Sequence, residues 1–258
     1  MTGLHVEHKG GIARITLSRV EAGNAIDLAM AEALAEAAIA CDEDDTIRCV
    51  LLAANGRHFC AGGDVTRFAE AGTHAPAYLK RITGALHVAI ARLSRMRKPL
   101  VTAIQGPAAG AGMSLALLGD IALAAASAHF TPAYGAIGLT PDGGMTWLLP
   151  RLIGLRRAQE LLITNRRVTA VEAQSLGLVT RMVDDASLTG ETEDLVQRLA
   201  AGPTGAIGVV RGLLLSGATA GLETQMETEA QAIADAIRSP NGREGLAAFL
   251  DKRRAIFI

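Results

Sequence analysis

At 258 residues, half of them apolar and with a formal charge of −1, the chain suits one large domain or one and a half, burying roughly three-quarters of its unfolded surface. The small, dispersed charge excludes a dedicated nucleic-acid binder or a protein held electrostatically on a membrane, and one Trp, two Tyr and five Phe leave little for recognition by stacking. Cys41, Cys49 and Cys60 lack CxxC or metal-ligand spacing, and no apolar run reaches the ~20 residues of a membrane span, so the expectation is an untargeted cytoplasmic protein with reduced thiols and neither disulfides nor a metal site.

In chain order, Leu4 to His8 and Ile12 to Ser18 alternate apolar and polar around Lys9-Gly10-Gly11, which predicts a hairpin. Asp27 stands as an N-cap before Leu28, Met30, Ala31, Leu34, Ala35 and Ala38, the apolar face of a helix ending near Asp42 to Asp45. Ile47 to Ala53 reads as a buried strand. It leads into the loop Asn55 to Asp64, where Gly62 and Gly63 precede a helix that Asp64 opens and that holds Val65 and Phe68. A long helix follows from about Ala77 to Arg97.

Leu100 to Gln105, after Pro99, is apolar almost throughout, as in a strand buried on both faces. It breaks at Gly106, Pro107, Gly110 and Gly112, and Met113 to Leu118 then run as a helix to a Gly119 stop. Both glycine loops therefore join a strand to a helix start, where unpaired backbone N–H groups and the helix dipole favour an oxyanion. Two such donors meeting at one oxygen would stabilise developing charge by several kcal/mol, at ~3 kcal/mol for each donor. The dinucleotide fingerprint fails because Leu115 stands where its third glycine belongs, no Gly-Lys-Ser/Thr ending exists, and the near-elbow Gly112-Met113-Ser114-Leu115-Ala116 ends in alanine with its serine inside a helix. A glycine turn that merely allows close strand-helix packing is the plain alternative.

Beyond Gly154 the pattern is helical: Leu155 to Ile163, then Ala170 to Leu176 capped by Thr169 and stopped by Gly177, then a strand at Leu178 to Val183. Ser187 to Ala200, Pro203 to Leu215, Leu222 to Ile237 and Arg243 to Arg253 read as helices separated by Gly202-Pro203, Ser216-Gly217 and Ser239-Pro240-Asn241-Gly242. So many apolar faces in one terminal segment call for a neighbouring subunit.

The order and spacing of FCAGGD at 59 to 64, GPAAGAG at 106 to 112, Asp120-Ile121, and IGLTPDGG at 137 to 144 followed by TWLLPRLIG resemble the enoyl-CoA hydratase/isomerase (crotonase) family. SR-x-x-x-x-NA at 18 to 25 and VTAVEAQSLGLV at 168 to 179 extend the resemblance over most of the chain. It implies an α/β fold built as a crotonase-like spiral of ββα units, with a core over 1–200 and a C-terminal helical oligomerisation region over 201–258. It also implies a homotrimer or dimer of trimers and an acyl-CoA thioester as substrate, with coenzyme A entering as part of the substrate and no separate cofactor. The backbone N–H groups of Gly63 and Ala111 match the pair that holds the thioester oxygen. Adenine and phosphopantetheine contacts are expected largely on backbone around Ala61, Gly62, Asp64 and Val65, and Gly110, Tyr134 and His87, the last matching a histidine of dehalogenase-like members, are further expected substrate-binding residues.

The family's hydratases hold water between two glutamates, and the matching positions here are Ser114 and Tyr134, neither a carboxylate. Asp142, in Pro141-Asp142-Gly143-Gly144, stands where isomerases of ring-epoxide or unsaturated acyl-CoA type and a dehalogenase resemble it in carrying an aspartate. The leading reading is an acyl-CoA isomerase in which Asp142 shuttles one proton. Alternatives are a hydrolase or dehalogenase using Asp142 and His87, hydration through a non-standard site, and a non-catalytic acyl-CoA binder. By residue type alone Asp142 could instead cap the helix of Met145, Leu148 and Leu149, His87 could be a packed or surface residue, Tyr134 could fill the pocket wall, and Asp64 and Asp120 could be helix-end or ion-pair residues.

Overall fold

The computed structural model describes residues 2–258. β1 (Leu4–Lys9) and β2 (Ile12–Leu17) form the expected antiparallel hairpin, and its turn glycines, Gly10 and Gly11, sit at φ 61° and 74°. Two successive positive φ angles define the turn whose twist matches the strands. α1 (Leu28–Glu43) starts where Asp27 accepts a bond from the Met30 N–H at 2.9 Å and buries Met30, Ala31, Leu34, Ala35 and Ala38 at helical spacing. After β3 (Cys49–Ala54) come α2 (Val65–Glu70) and α3 (Ala75–Arg95), which packs on α1 and buries Ile82, Leu86, Ala89, Ile90 and Leu93.

β4 (Leu100–Ile104) is buried along its whole length, as a central parallel strand must be. It is followed by the two-residue β5 (Ala108–Ala109), the fully buried α4 (Ala111–Ala116), β6 (Ile121–Ala125) and β7 (His129–Thr131). A 3₁₀ turn at Tyr134–Ile137 leads to α5 (Met145–Ile153) and α6 (Leu155–Thr164), then β8 (Val168–Thr169), α7 (Ala170–Leu176) and β9 (Arg181–Val183). α8 (Leu188–Ala200), α9 (Thr204–Gly217), α10 (Leu222–Arg238) and α11 (Pro240–Leu250) complete the chain.

The main sheet has the order β1-β2-β3-β4-β6-β9, parallel except at the hairpin, with Val50 opposite Leu100 and Val101 opposite Ile121. A second sheet, β5-β7-β8, sets Ala108 beside Phe130 and Phe130 beside Val168. The aliphatic core lies between the main sheet and the helices, and α8 packs on β3, β4 and β6.

Two buried cations tie the ends of elements together. Lys98 Nζ donates to the carbonyls of Cys41, Asp42 and Asp44, satisfying the C-terminus of α1. Arg211 on α9 donates to the carbonyls of Leu93, Met96 and Lys98 and pairs with Asp120 at 2.8 Å, fastening the C-terminal helices to the core.

The strands β5 to β8 lie where no strand was expected, and three expected elements have different ends. β9 begins at Arg181 rather than Leu178, because the N–H groups of Leu178 and Val179 close the end of α7 on the carbonyl of Ala173. The Ser239 to Gly242 stretch begins α11 instead of separating two helices: Ser239 Oγ accepts from the Gly242 N–H at 2.9 Å and Pro240 takes the first helical position. α4 ends at Ala116, whose carbonyl accepts a bond from the buried Thr102 hydroxyl at 2.8 Å.

Candidate active site

The two glycine loops run side by side. The N–H groups of Phe59 and Cys60 both donate to the Pro107 carbonyl (3.0 and 3.2 Å), the Ala109 N–H donates to the Cys60 carbonyl at 2.9 Å, and Cys60 bridges Ala108 in parallel register. Such an approach leaves no room for side chains: a Cβ on Gly106 would collide with the Arg57 carbonyl, and one on Gly112 would lie 2.6 Å from the Cys60 Cβ.

The other flank of the 61 to 64 segment pairs with residues 23 to 26. Ala61 donates to Gly23 (3.0 Å), Ile26 to Gly62 (2.7 Å) and Asp64 to Ile26 (2.9 Å). Asn24, fully buried, donates from Nδ2 to the carbonyls of Asn55 and His58 and accepts from the Arg19 N–H, while Arg19 Nη1 reaches the Ala25 carbonyl and, at 2.7 Å, Asp64. The sequence reading used the Arg19 and Asn24 motif only as a family pattern, and its work, clamping the glycine loop, was missed. Two buried-type polar residues five apart, upstream of a glycine loop, are the signal that could have been followed.

With both flanks occupied, the amides can be accounted for. Those of Ala61 and Asp64 bond to backbone and that of Gly62 to Cys60 Sγ at 3.4 Å, whereas among the described residues the Gly63 N–H has no acceptor. In the partner loop Ala109 and Gly110 donate to Cys60 and Thr131, and the N–H of Ala111, the first residue of α4, is likewise without an acceptor among the described residues. Cys60 faces Ala108, and three residues further along each strand stand Gly63 and Ala111. Both line one cavity of about 240 Å³, with Ala61, Gly62, Val65 and Gly110 also on its wall.

The rest of that wall is apolar, including Phe68, Ile82 and Leu86, apart from Thr83, Thr140, Tyr134 and Asp142. Asp142 is the one carboxylate on it among the described residues. Helix capping is not its role: the cap position of α5 is Gly144, without a side-chain bond, and Asp142 contributes only its carbonyl to the Met145 N–H. Its carboxylate accepts from the Tyr134 hydroxyl at 2.6 Å instead. Burial, then the Asp142 charge and the bond to it, push the Tyr134 phenol well above its ordinary range, so it remains a donor. Buried Ser114 donates from Oγ to the Asp142 carbonyl at 3.2 Å and lies off the cavity wall. Burial pushes the Cys60 thiol up to about 12, which leaves it an inert packing group.

Two of the expected substrate-contact residues do not line this cavity, and Asp64 is the helix-end, ion-pair residue its type also suggested. Asp64 is buried beneath the loop, off the cavity wall, where it pairs with Arg19 and caps α2 through the Arg67 N–H. Burial raises its pKa, but the Arg19 hydrogen bond, the Arg67 amide and the Arg19 charge outweigh this and hold the carboxyl below its ordinary value. His87 is exposed on α3 and also off the wall, and its Nε2 accepts from the Gly143 N–H at 3.2 Å, bracing the Asp142 loop from outside. Among the described residues no group of three His, Cys, Asp or Glu side chains is placed to hold a metal ion, and no single helix is long and apolar enough to cross a membrane.

The sequence signature of the enoyl-CoA hydratase/isomerase family matches residues 7–258. The 1,2-epoxyphenylacetyl-CoA isomerase of Escherichia coli K12 is 39% identical over 254 residues, covering 98% of this chain and 96% of the relative. The 4-chlorobenzoyl coenzyme A dehalogenase-2 of an Arthrobacter species is 32% identical over 250 residues, covering 96% and 91%. Among solved structures, an enoyl-CoA hydratase from Polaromonas sp. JS666 superposes with a TM-score of 0.94 at 32% identity over 99% of both chains.

Proposed function

The chain belongs to the enoyl-CoA hydratase/isomerase (crotonase) family, a family of acyl-CoA enzymes, and within it we propose that this protein is an acyl-CoA isomerase. The observation that carries the reading is that one carboxylate, Asp142, shares a small apolar cavity with two backbone N–H groups that have no acceptor among the described residues. The thioester oxygen accepts from the N–H groups of Gly63 and Ala111. Asp142 takes a proton from a carbon conjugated to the carbonyl, the C–H electron pair becomes a new C=C bond, and charge moves onto the thioester oxygen. As the carbonyl re-forms, the protonated Asp142 delivers a proton to a different carbon, and in turnovers where its carboxyl first exchanges with solvent the product carries a solvent hydrogen. The proton balance closes on one residue, and the double bond has moved.

Fixed donors favour the charged oxygen over the neutral carbonyl, which lowers the barrier rather than merely tightening binding. The apolar wall excludes water from the enolate and strengthens those bonds. Two-glutamate hydration is disfavoured because Ser114 and Tyr134 occupy the matching positions, and Ser114 is off the wall. Hydrolysis with His87 activating water is less well supported, since its Nε2 already accepts from Gly143 outside the cavity. The test is exchange of substrate protons into deuterated water with unsaturated and arylacetyl-CoA thioesters. Asp142→Asn is expected to abolish exchange while retaining thioester binding; full exchange by Asp142→Asn would defeat the reading.

We further propose that the chain self-associates through its C-terminal helices, as a trimer or a dimer of trimers. Leu214, Leu222, Ile233, Phe249 and Leu250 are largely exposed on α9 to α11, more apolar surface than a lone chain ordinarily leaves in water. Sedimentation equilibrium checks this, and a monomer at micromolar concentration would refute it.

A further inference from the structure

Tyr134 does more than line the cavity. Its 2.6 Å bond to Asp142 Oδ1 has the length of a charge-assisted O–H···O⁻ bond, while Oδ2 accepts from no described residue. The ring is seated against the second glycine loop, its Cζ 3.8 Å from where a Gly110 Cβ would stand. The backbone around Asp142 is pinned separately: Ser114 Oγ donates to the Asp142 carbonyl, and the Gly143 N–H donates to His87 Nε2. What this leaves undetermined is the rotation of the carboxylate itself. A single donor at a fixed point removes that freedom and distinguishes the two oxygens.

We infer that Tyr134 is a positioning residue for proton transfer, holding Asp142 by Oδ1 so that Oδ2 is the oxygen presented to the substrate carbon. This rests on the isomerase reading above. The phenol keeps its proton through the working range, because burial and the neighbouring carboxylate both oppose its ionisation. Fixing the base before substrate arrives removes an entropic cost from the reaction step. Tyr134 thus uses its hydroxyl on the base, and a direct hydrogen bond from it to the acyl group is not part of the arrangement.

Tyr134→Phe deletes one oxygen and retains the ring, and thermal unfolding confirms that the variant is folded. The expected result is a fall of about tenfold or more in kcat for proton exchange, with KM within about threefold, as for a base left free to rotate. Because the ring is retained, a ring that only filled space would leave kcat unmoved, and the fall in kcat at nearly constant KM reads the lost hydroxyl. Full-length protein made with 3-fluorotyrosine, which keeps a donor hydroxyl in nearly the same volume, should retain kcat within about threefold of the parent. Tyr78, the other tyrosine, is off the cavity wall and lies edge-on to Phe68, so the hydroxyl bonded to Asp142 is that of Tyr134 alone. An unchanged kcat in Tyr134→Phe, a change confined to KM, or a tenfold loss of kcat in the fluorinated protein that still keeps the hydroxyl would each overturn the inference. Asp142→Asn separates the two levels: exchange surviving in Asp142→Asn sinks the isomerase reading itself, whereas an inactive Asp142→Asn beside a fully active Tyr134→Phe removes only the role of the phenol.

Discussion

Replacing Gly112 by alanine puts a methyl carbon 2.6 Å from the Cβ of Cys60 and 2.8 Å from its carbonyl carbon, and closer still to its carbonyl oxygen. Carbon atoms in contact want about 3.5 Å or more, so the start of α4 and the 59 to 64 loop must part by roughly 1 Å. Both neighbours are backbone or near-backbone atoms in a fully paired seam, so no side chain can swing away to relieve the clash. Overpacking of this kind costs about 1–3 kcal/mol of stability. The effect on function should be larger in proportion, because Cys60 leads to Gly63 on one strand and Gly112 follows Ala111 on the other. Displacing one donor by ~1 Å from the other is expected to cost about a hundredfold in rate. Guanidinium unfolding reads the first effect and proton exchange of an acyl-CoA thioester in deuterated water reads the second. Gly84→Ala is the control: the same atom is added in the exposed interior of α3 with nothing within 4 Å, so it should stabilise by roughly 0.5–1 kcal/mol and leave exchange unchanged. Gly112→Ala with the stability and exchange rate of the parent would refute the claim that the seam sets the distance between the two amides.

Asp64→Asn tests the clamp under the first loop through its pH dependence. The folded pKa is depressed, so the carboxylate's contribution is present above the ordinary Asp value of 3.8 and is lost as pH falls through the folded value. The variant should therefore be less stable than the parent at pH 7, by a margin that narrows as pH falls below 3.8, by denaturant unfolding, and a difference independent of pH would contradict the Arg19 pairing. Arg211→Met removes donors from three buried carbonyls and leaves Asp120 without its partner, and should cost about 3–5 kcal/mol in denaturant unfolding; a loss below about 1 kcal/mol would show that α9 is held by packing alone. Gly63→Ala brings a methyl to 2.6 Å from the tip of the Phe68 ring, which can turn into the cavity. It should cost less stability than Gly112→Ala, under about 1.5 kcal/mol, yet weaken thioester binding about tenfold by calorimetry.

Where a local rule decides an outcome, the residues announced it. Asp27 and Thr169 cap the helices they precede, Gly10-Gly11 turns the first hairpin, and the apolar run at Leu100 is the strand buried on both faces. Each depends on contacts within a few residues, so the pattern is complete in the primary structure. β6 and the small β5-β7-β8 sheet were not legible. Ala108–Ala109 and Val168–Thr169 are strands only because another segment lies beside them, and two residues carry no periodicity of their own. Pro240 read as a breaker because proline more often ends a helix than begins one, and only the Ser239 cap shows that it begins one here.

The same division runs through the site. The two glycine loops, the aspartate of the PDGG turn and the absence of glutamate at 114 and 134 could be read directly, because glycine and carboxylate chemistry belong to the residue itself. Which amides are left without acceptors could not, since that depends on every other amide in both loops finding a partner, through residues 23 to 26 on one side and Thr131 on the other. Nor could the use of each polar side chain. Asp64 and Asp142 are both aspartates beside glycine at a helix start; one lies buried under Arg19 and the other faces the cavity with Tyr134 on its oxygen. Composition and spacing determined the loops and the chemistry they could support, whereas packing across long sequence separations determined which donors, and which of two like carboxylates, stand free to perform it.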